Sequence, residues 1–298
     1  ARQARHIAST QASSIMSSGA EGETEMAYDA NRRFIVRLRR CSSSLMLKAD
    51  ASLYLGACAI TGGLGGLGLR AAGLLVEHGA VAVSLISRNG RIPRGRQSLD
   101  VRTVPVGHVP VVAAAADTGD AASMGLFFSG RTYSSVLHAA GVLHDKTIYF
   151  MAAADLAAVF LPKALAASHV CTIMSRTPLV LCALFSSWVS IFGSRGQANY
   201  VSVNAYLDRL ALQQCTSGRN TSSLQLPPVS GSGMSANLFA SSSPQVDGLL
   251  QTAGLTLEQY AWQLYASMLM STGGHLSAAP SPLPSDGSEL LRVVPTVS

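Results

Sequence analysis

At 298 residues the chain can bury one large core, or one domain with flanking pieces. Apolar residues make up 48% and charged residues 13%, a balance that argues against disorder and for a heavily buried α/β core. The first residue is Ala1, and no charged-then-apolar signal pattern follows it, so the chain reads as a fragment of something longer.

Residues 1–26 are rich in Ser, Ala and Gly with little periodicity and read as a linker or truncated segment. AYDANRRFIVRLRR (27–40) then suggests a hairpin, with a polar turn at Asp29 to Asn31 before the alternating Phe34, Val36 and Leu38. Much of the net charge of +6 lies here, in five arginines between 31 and 40. They read as a solvated strand edge; the alternative is a patch for an acidic partner or nucleic acid. No aromatic platform or nucleic-acid motif accompanies them, and no nucleic-acid partner is expected.

From about residue 51 strands alternate with helices. Strand candidates end near Ile60 and cover 81–86, 109–116, 134–141, 179–187 and 222–227, with a helix over 67–79 that stops at Gly79. That alternation predicts a doubly wound parallel sheet covered on both faces, a Rossmann-like α/β fold. The apolar run 178–193 is broken by serines and is shorter than a membrane span, so no membrane partner is expected. Residues 254–269 look like a further amphipathic helix, and 271–298 like a Pro/Ser-rich linker. Cys41, Cys58, Cys171, Cys182 and Cys215 are odd in number and lack paired metal spacing. They read as small core residues of a reducing, cytoplasmic compartment, with no metal site.

Thr61, Gly62, Gly63, Leu64, Gly65, Gly66, Leu67 and Gly68 place a G-x-G-x-x-G pattern between a strand and a helix. Glycines there permit a tight turn and close approach of backbone to a pyrophosphate at the helix N-terminus. An NAD-specific site would carry a carboxylate at the end of the second strand. Here that position holds Ser87 and Arg88, a hydroxyl and a cation suited to the 2′-phosphate of NADPH. Asp117, after the third strand, is placed either to meet an adenine amino group or to hold its own loop.

ITGGLGGLG, SRNG, VLHAAGVLHDK, LPKALA and LFSSWVSIFGSRGQANYVSVNAYLD, in that order, resemble the ketoreductase domain of modular type I polyketide synthases, in the short-chain dehydrogenase/reductase superfamily. The resemblance spans about 27–270 and implies a remnant of a structural subdomain at 27–50, a catalytic domain at 51–270 and a substrate lid at about 228–257. It also implies that His138, Ala139, Ala140 and Gly141 help to hold the cofactor. In ordinary short-chain reductases a lysine follows the catalytic tyrosine by four residues; in this family the lysine and an asparagine exchange places. Tyr200 matches the proton donor, Asn204 the exchanged asparagine, Lys163 the lysine and Ser187 the serine, with Ser186 as second choice.

The chemistry follows from these residue types. A free phenol is a poor proton donor at neutral pH. An ammonium beside a phenol favours the phenolate, and a serine hydroxyl can fix the carbonyl oxygen. Asn204 would orient the lysine or a water. Leu143, Asp145, Phe192 and Gln197 would orient substrate. Leu143-His144-Asp145 is a partial match to the Leu-Asp-Asp motif of B-type stereochemistry, and Phe192 stands where the A-type tryptophan would be. The reaction implied is NADPH-dependent reduction of a β-ketoacyl group on an acyl carrier protein, among neighbouring synthase domains. The alternatives are a non-catalytic ketoreductase-like scaffold and the β-ketoacyl reductase of a type I fatty acid synthase.

Overall fold

A computed structural model describes residues 26–29, 32–40, 56–91, 109–229 and 291–297. Its strands are β1 (Met26–Asp29), β2 (Arg32–Arg40), β3 (Ala57–Thr61), β4 (Ala82–Ser87), β5 (Val111–Ala115), β6 (Ser135–His138), β7 (Leu181–Ser187), β8 (Thr221–Leu226) and β9 (Leu291–Val297). Its α-helices are α1 (Gly66–Glu77), α2 (Ala121–Phe128), α3 (Ala153–Phe160), α4 (Ala166–Ile173), the single turn α5 (Val189–Phe192) and α6 (Ala198–Thr216). The chain divides into two units, 1–45 with 283–298, and 46–282.

In the first unit β1 and β2 form the expected antiparallel hairpin, with Asp29 opposite Arg32. β9 pairs antiparallel with β2, Val297 facing Phe34 and Leu291 facing Arg40. This corrects the reading of 271–298 as linker throughout. The Pro/Ser-rich composition ends before Leu291, and the run Leu291–Val297, rich in β-branched residues, supplies a third strand. The proposed helix at 254–269 and residues 230–257 of the expected lid lie outside the described residues.

The second unit holds a six-stranded sheet in the order β5-β4-β3-β6-β7-β8, parallel throughout. All six strands fall where the alternation of strand and helix places them. Alternate residues of β3 feed two different cores. Cys58 and Ile60 pack with Leu69 and Leu75 of α1; Ala59 packs with Met124 and Phe127 of α2 and Val170 of α4. Both faces are therefore covered, which is why β3 and β7 read as nearly unbroken apolar runs. The chain winds one way from β3 to β5 and the other way from β6 to β8. The reversal opens a crevice at the carboxyl ends of β3 and β6, where doubly wound sheets bind their ligands.

Helix α1 ends at Glu77, two residues before the expected stop. Gly79 adopts φ +95°, and Ala80 N–H closes onto the Leu75 carbonyl at 2.8 Å, a left-handed termination that glycine favours. Among the described residues one helical run, Ala153–Arg176, has the length and hydropathy of a membrane span. Its second half packs inward, where Ala167 and Cys171 meet Cys182 and Leu184 of β7 and Leu207 of α6, while Leu156, Leu161 and Leu165 are exposed.

Candidate active site

The floor of the crevice is the turn from β3 into α1. Gly62 takes φ +67°, and a Cβ there would meet the Ala140 backbone at 2.6 Å. At Gly68 a Cβ would lie 2.6 Å from the Gly62 carbonyl oxygen. The loop is thus locked against the segment after β6, and only glycine fits at these two points. Helix α1 begins without a side-chain cap and without an acidic residue in its first turn. Its N-terminal field is therefore not neutralised by the protein's own groups, which suits an anionic pyrophosphate. Gly65 is exposed at the mouth of the turn, whereas the Leu64 side chain belongs to the core.

At the end of β4, Ser87 Oγ accepts from Gly90 N–H at 3.1 Å, and Gly90 adopts φ +63°. This tight turn leaves Arg88 exposed. Asp117 settles into its loop, where Oδ1 accepts from Gly119 N–H at 2.9 Å; the loop role is the one the geometry supplies. The fit to a dinucleotide therefore rests on the glycine turn, the uncapped helix and the exposed Arg88.

His138, expected among the cofactor contacts, has its side chain elsewhere. The ring is fully buried. Nδ1 lies 2.6 Å from Thr61 Oγ1 and Nε2 lies 2.8 Å from the Lys163 carbonyl oxygen. With the hydroxyl donating to Nδ1 and Nε2–H donating to the carbonyl, the neutral ring ties β3 to the segment carrying Lys163. Both nitrogens are occupied by protein, leaving no side-chain hydrogen bond for a ligand. Burial pushes its pKa down to about 4.

Lys163 stands on a π-helical turn, Leu161–Leu165, between α3 and α4. Such turns are rare and concentrate at functional sites. It is 3% exposed, so it is no surface lysine despite following Pro162. Its Nζ donates to Tyr200 Oη at 3.4 Å and lies 4.6 Å from the tyrosine ring centroid. The long contact is of the kind that tightens when substrate arrives. Of the other two lysines, Lys146 pairs with Asp155 at 2.8 Å, and Lys48 lies outside the described residues.

Tyr200 and Asn204 sit four apart on α6, both buried. Asn204 Nδ2 donates to the Tyr200 carbonyl at 2.7 Å, while its Oδ1 is buried without a partner. Asn204 makes no hydrogen bond to Lys163 among those the structure shows. Asn204 Oδ1 is therefore an acceptor that no described residue uses. At the end of β7, Ser187 Oγ donates to the Leu226 carbonyl and Ser186 Oγ to the Asn204 carbonyl, each at 3.2 Å.

Lys163, Ser186, Ser187 and Tyr200 line one cavity of about 120 Å³. Leu143, Ala139 and Gln197 also reach it, and so do Pro227 and Pro228 at the start of the expected lid. Phe192 does not. It is 57% exposed and stacks edge-on against Trp188 at 5.8 Å, and it is Trp188 that lines the cavity. The α5 turn carries Phe192 outward, which corrects its assignment as a substrate-orienting residue. Asp145, exposed, accepts from Gln197 Nε2 at 2.9 Å and so acts on the cavity wall through Gln197.

Two further residues organise this wall and escaped the motif reading. Asn199 is fully buried; its Nδ2 donates to the His144 carbonyl at 2.8 Å and its Oδ1 accepts from Tyr200 N–H at 2.8 Å. Asp155 accepts from Lys146 Nζ, His144 Nε2 and Ala152 N–H, all within 2.8 Å. These bonds, led by the one from Lys146, hold its carboxyl well below the ordinary carboxylate range. The only sequence signal for Asn199 was its place beside Tyr200.

The family model of the KR domain matches residues 56–231, more than half of the chain. Polyketide synthase GfsA of Streptomyces halstedii is 32% identical over 218 residues, covering 72% of this chain and 3% of that protein. The spectinabilin polyketide synthase system protein NorB of Streptomyces orinoci is 31% identical over 206 residues, covering 67% of this chain and 10% of that protein. Among solved structures, the first ketoreductase of the tylosin synthase superposes with TM-score 0.68 at 25% identity, covering 85% of this chain and 54% of that one. The ketoreductase from the first module of phoslactomycin biosynthesis in Streptomyces sp. HK803 does so with TM-score 0.68 at 27% identity, covering 83% and 56%. The chain spans between 3% and 12% of the length of the curated relatives it matches. With the doubly wound sheet, the glycine turn and the Lys163–Tyr200 pair in place, the chain belongs to the KR family, the ketoreductase domains of polyketide synthases within the short-chain dehydrogenase/reductase superfamily.

Proposed function

We infer that this oxidoreductase domain reduces a β-ketoacyl thioester, carried on an acyl carrier protein, to the β-hydroxyacyl thioester with NADPH, leaning to the B-type hydroxyl configuration. The observation that carries this reading is the convergence of Lys163, Ser187 and Tyr200 on one cavity beside the glycine turn. Bound nicotinamide supplies the hydride. Tyr200 donates its proton to the carbonyl oxygen as negative charge grows there, and the Ser187 hydroxyl, turned from the Leu226 carbonyl, steadies the same oxygen. The Lys163 ammonium stabilises the phenolate that remains. Only one of its three N–H donors is engaged by the described residues. A water on Asn204 Oδ1 would return a proton along that face. The glycine turn and the first turn of α1 would hold the pyrophosphate, and Ser87 with Arg88 the 2′-phosphate.

The test is NADPH oxidation with a β-ketoacyl thioester of N-acetylcysteamine, with the stereochemistry of the product resolved by chiral chromatography. A chain that binds NADPH and reduces no such substrate would replace this reading with that of a non-catalytic scaffold. Cofactor choice has its own expected result. Arg88→Ala should weaken NADPH about 10- to 100-fold, the worth of one charge-assisted bond, with little change for NADH. Equal losses for the two cofactors, measured by fluorescence titration, would sink the 2′-phosphate assignment.

Asp155 sets a second expectation. Asp155→Asn keeps an acceptor for Ala152 N–H but loses the charge that gathers His144 and Lys146 beside Leu143. The substrate KM should rise several-fold, with a smaller change in kcat and a shift in the product diastereomer ratio. An unchanged ratio and KM would show that the loop needs no such anchor.

A further inference from the structure

At the opposite end of the sheet a second cavity, of about 390 Å³, lies between the end of α4, the start of β7 and the turn from α6 into β8. Ser187 is at the far end of β7, about 16 Å from Cys182 at the rise of a β-strand, so the cavity is separate from the reduction site. Cys171 of α4 and Cys182 of β7 both line it, together with Arg176 and Arg219. The two cysteines are free and pack in one cluster with Leu184 and Leu207.

Two features separate this pair from ordinary core cysteines. It opens on a cavity, and it shares that cavity with the cationic Arg176 and Arg219. The adjacent Cys182 thiol, aided by the Arg219 charge and against the effect of burial, holds the Cys171 thiol below its ordinary range. The same closeness to Cys171, with burial, pushes the Cys182 thiol well up. The two thiols are thus pushed in opposite directions, Cys171 toward easier ionisation and Cys182 away from it, as in thiol pairs that oxidise in two steps. Cys58, by contrast, is buried with its thiol pushed up to about 12.

We propose that Cys171 and Cys182 form an oxidative modification site, at which a hydroperoxide entering the cavity leads to a disulfide between α4 and β7. The Cys171 thiolate attacks the outer oxygen of the hydroperoxide. The O–O bond breaks, an S–O bond forms, and the remainder of the peroxide leaves as an alcohol, or as water from hydrogen peroxide, after taking up a proton. Cys182 then attacks the Cys171 sulfur of the sulfenic acid, forming the S–S bond. The hydroxyl leaves as water with the Cys182 proton. Two thiols are oxidised by two electrons, and one hydroperoxide is reduced.

The reduced 298-residue chain is treated with hydrogen peroxide at neutral pH, quenched by alkylation and mapped by mass spectrometry. A Cys171–Cys182 disulfide, reversed by dithiothreitol, should form several-fold faster than oxidation of the exposed Cys215. In Cys182→Ala the reaction should stop at a Cys171 sulfenic acid that dimedone captures. Arg219→Ala, at an exposed position, should slow that capture several-fold without disturbing the fold. Oxidation confined to Cys215 would overturn the proposal. So would a Cys171 sulfenic acid that never becomes a disulfide in the unsubstituted chain, or capture at Cys171 no faster than at Cys58.

Discussion

Tyr200→Phe is expected to lower kcat for β-ketoacyl reduction by about 100- to 10,000-fold, the usual contribution of a positioned acid. That corresponds to about 3–5 kcal/mol of transition-state stabilisation. The substitution removes only the hydroxyl. The ring keeps its place with Val159, Ala164 and Val203, and the Lys163 ammonium keeps its ring contact at 4.6 Å. Folding and NADPH affinity should therefore be unchanged, and the loss should fall on kcat rather than KM. Stopped-flow measurement of the hydride step separates the two. A variant that reduces substrate within about threefold of the parent rate would remove Tyr200 as the proton donor, since one acid is worth far more than that.

Much of this arrangement was legible because each motif carries its own physics. The strand-to-helix turn needs glycine where Gly62 and Gly68 meet backbone, and those glycines stand in the sequence. The six parallel strands show as apolar runs because both faces are covered. Lys163 came from the family pattern, since nothing local announces that a lysine after Pro162 will be buried on a π-helical turn.

What was not legible depends on where short turns aim side chains. Phe192 and Trp188 share one four-residue helix turn and its cap, and no periodicity tells which of them faces the cavity. His138 sits in the HAAG segment beside the expected cofactor, but its ring turns inward. That choice depends on the spacing between Thr61 and the Lys163 carbonyl, 25 residues downstream. The strand Leu291–Val297 is visible only through its partner β2, more than 250 positions away.

His138 also sets how the site should fail in acid. Its folded pKa of about 4, against an ordinary 6.5, arises chiefly from burial, with the Lys163 charge adding to it. The unfolded chain therefore binds a proton that the folded chain refuses between these values, so folding stability falls as pH drops through that window. The full difference is present above about 6.5 and lost by about 4, and amounts to about 3 kcal/mol at 1.36 kcal/mol per pH unit. Carboxylates titrate over part of the same range, so the contribution is isolated by subtraction. His138→Gln keeps a buried donor and acceptor but cannot charge. Urea unfolding of both proteins from pH 7 to 4 should show the parent losing about 3 kcal/mol more than the variant. Parallel curves would mean that the imidazole meets water before it is protonated. Because the ring holds the Lys163 carbonyl, the same titration acts on the turn that presents the ammonium to Tyr200. Activity of the folded chain should not respond to this ring until the pH nears about 4, where the folded imidazole itself takes up a proton, and there the variant should be the less sensitive of the two.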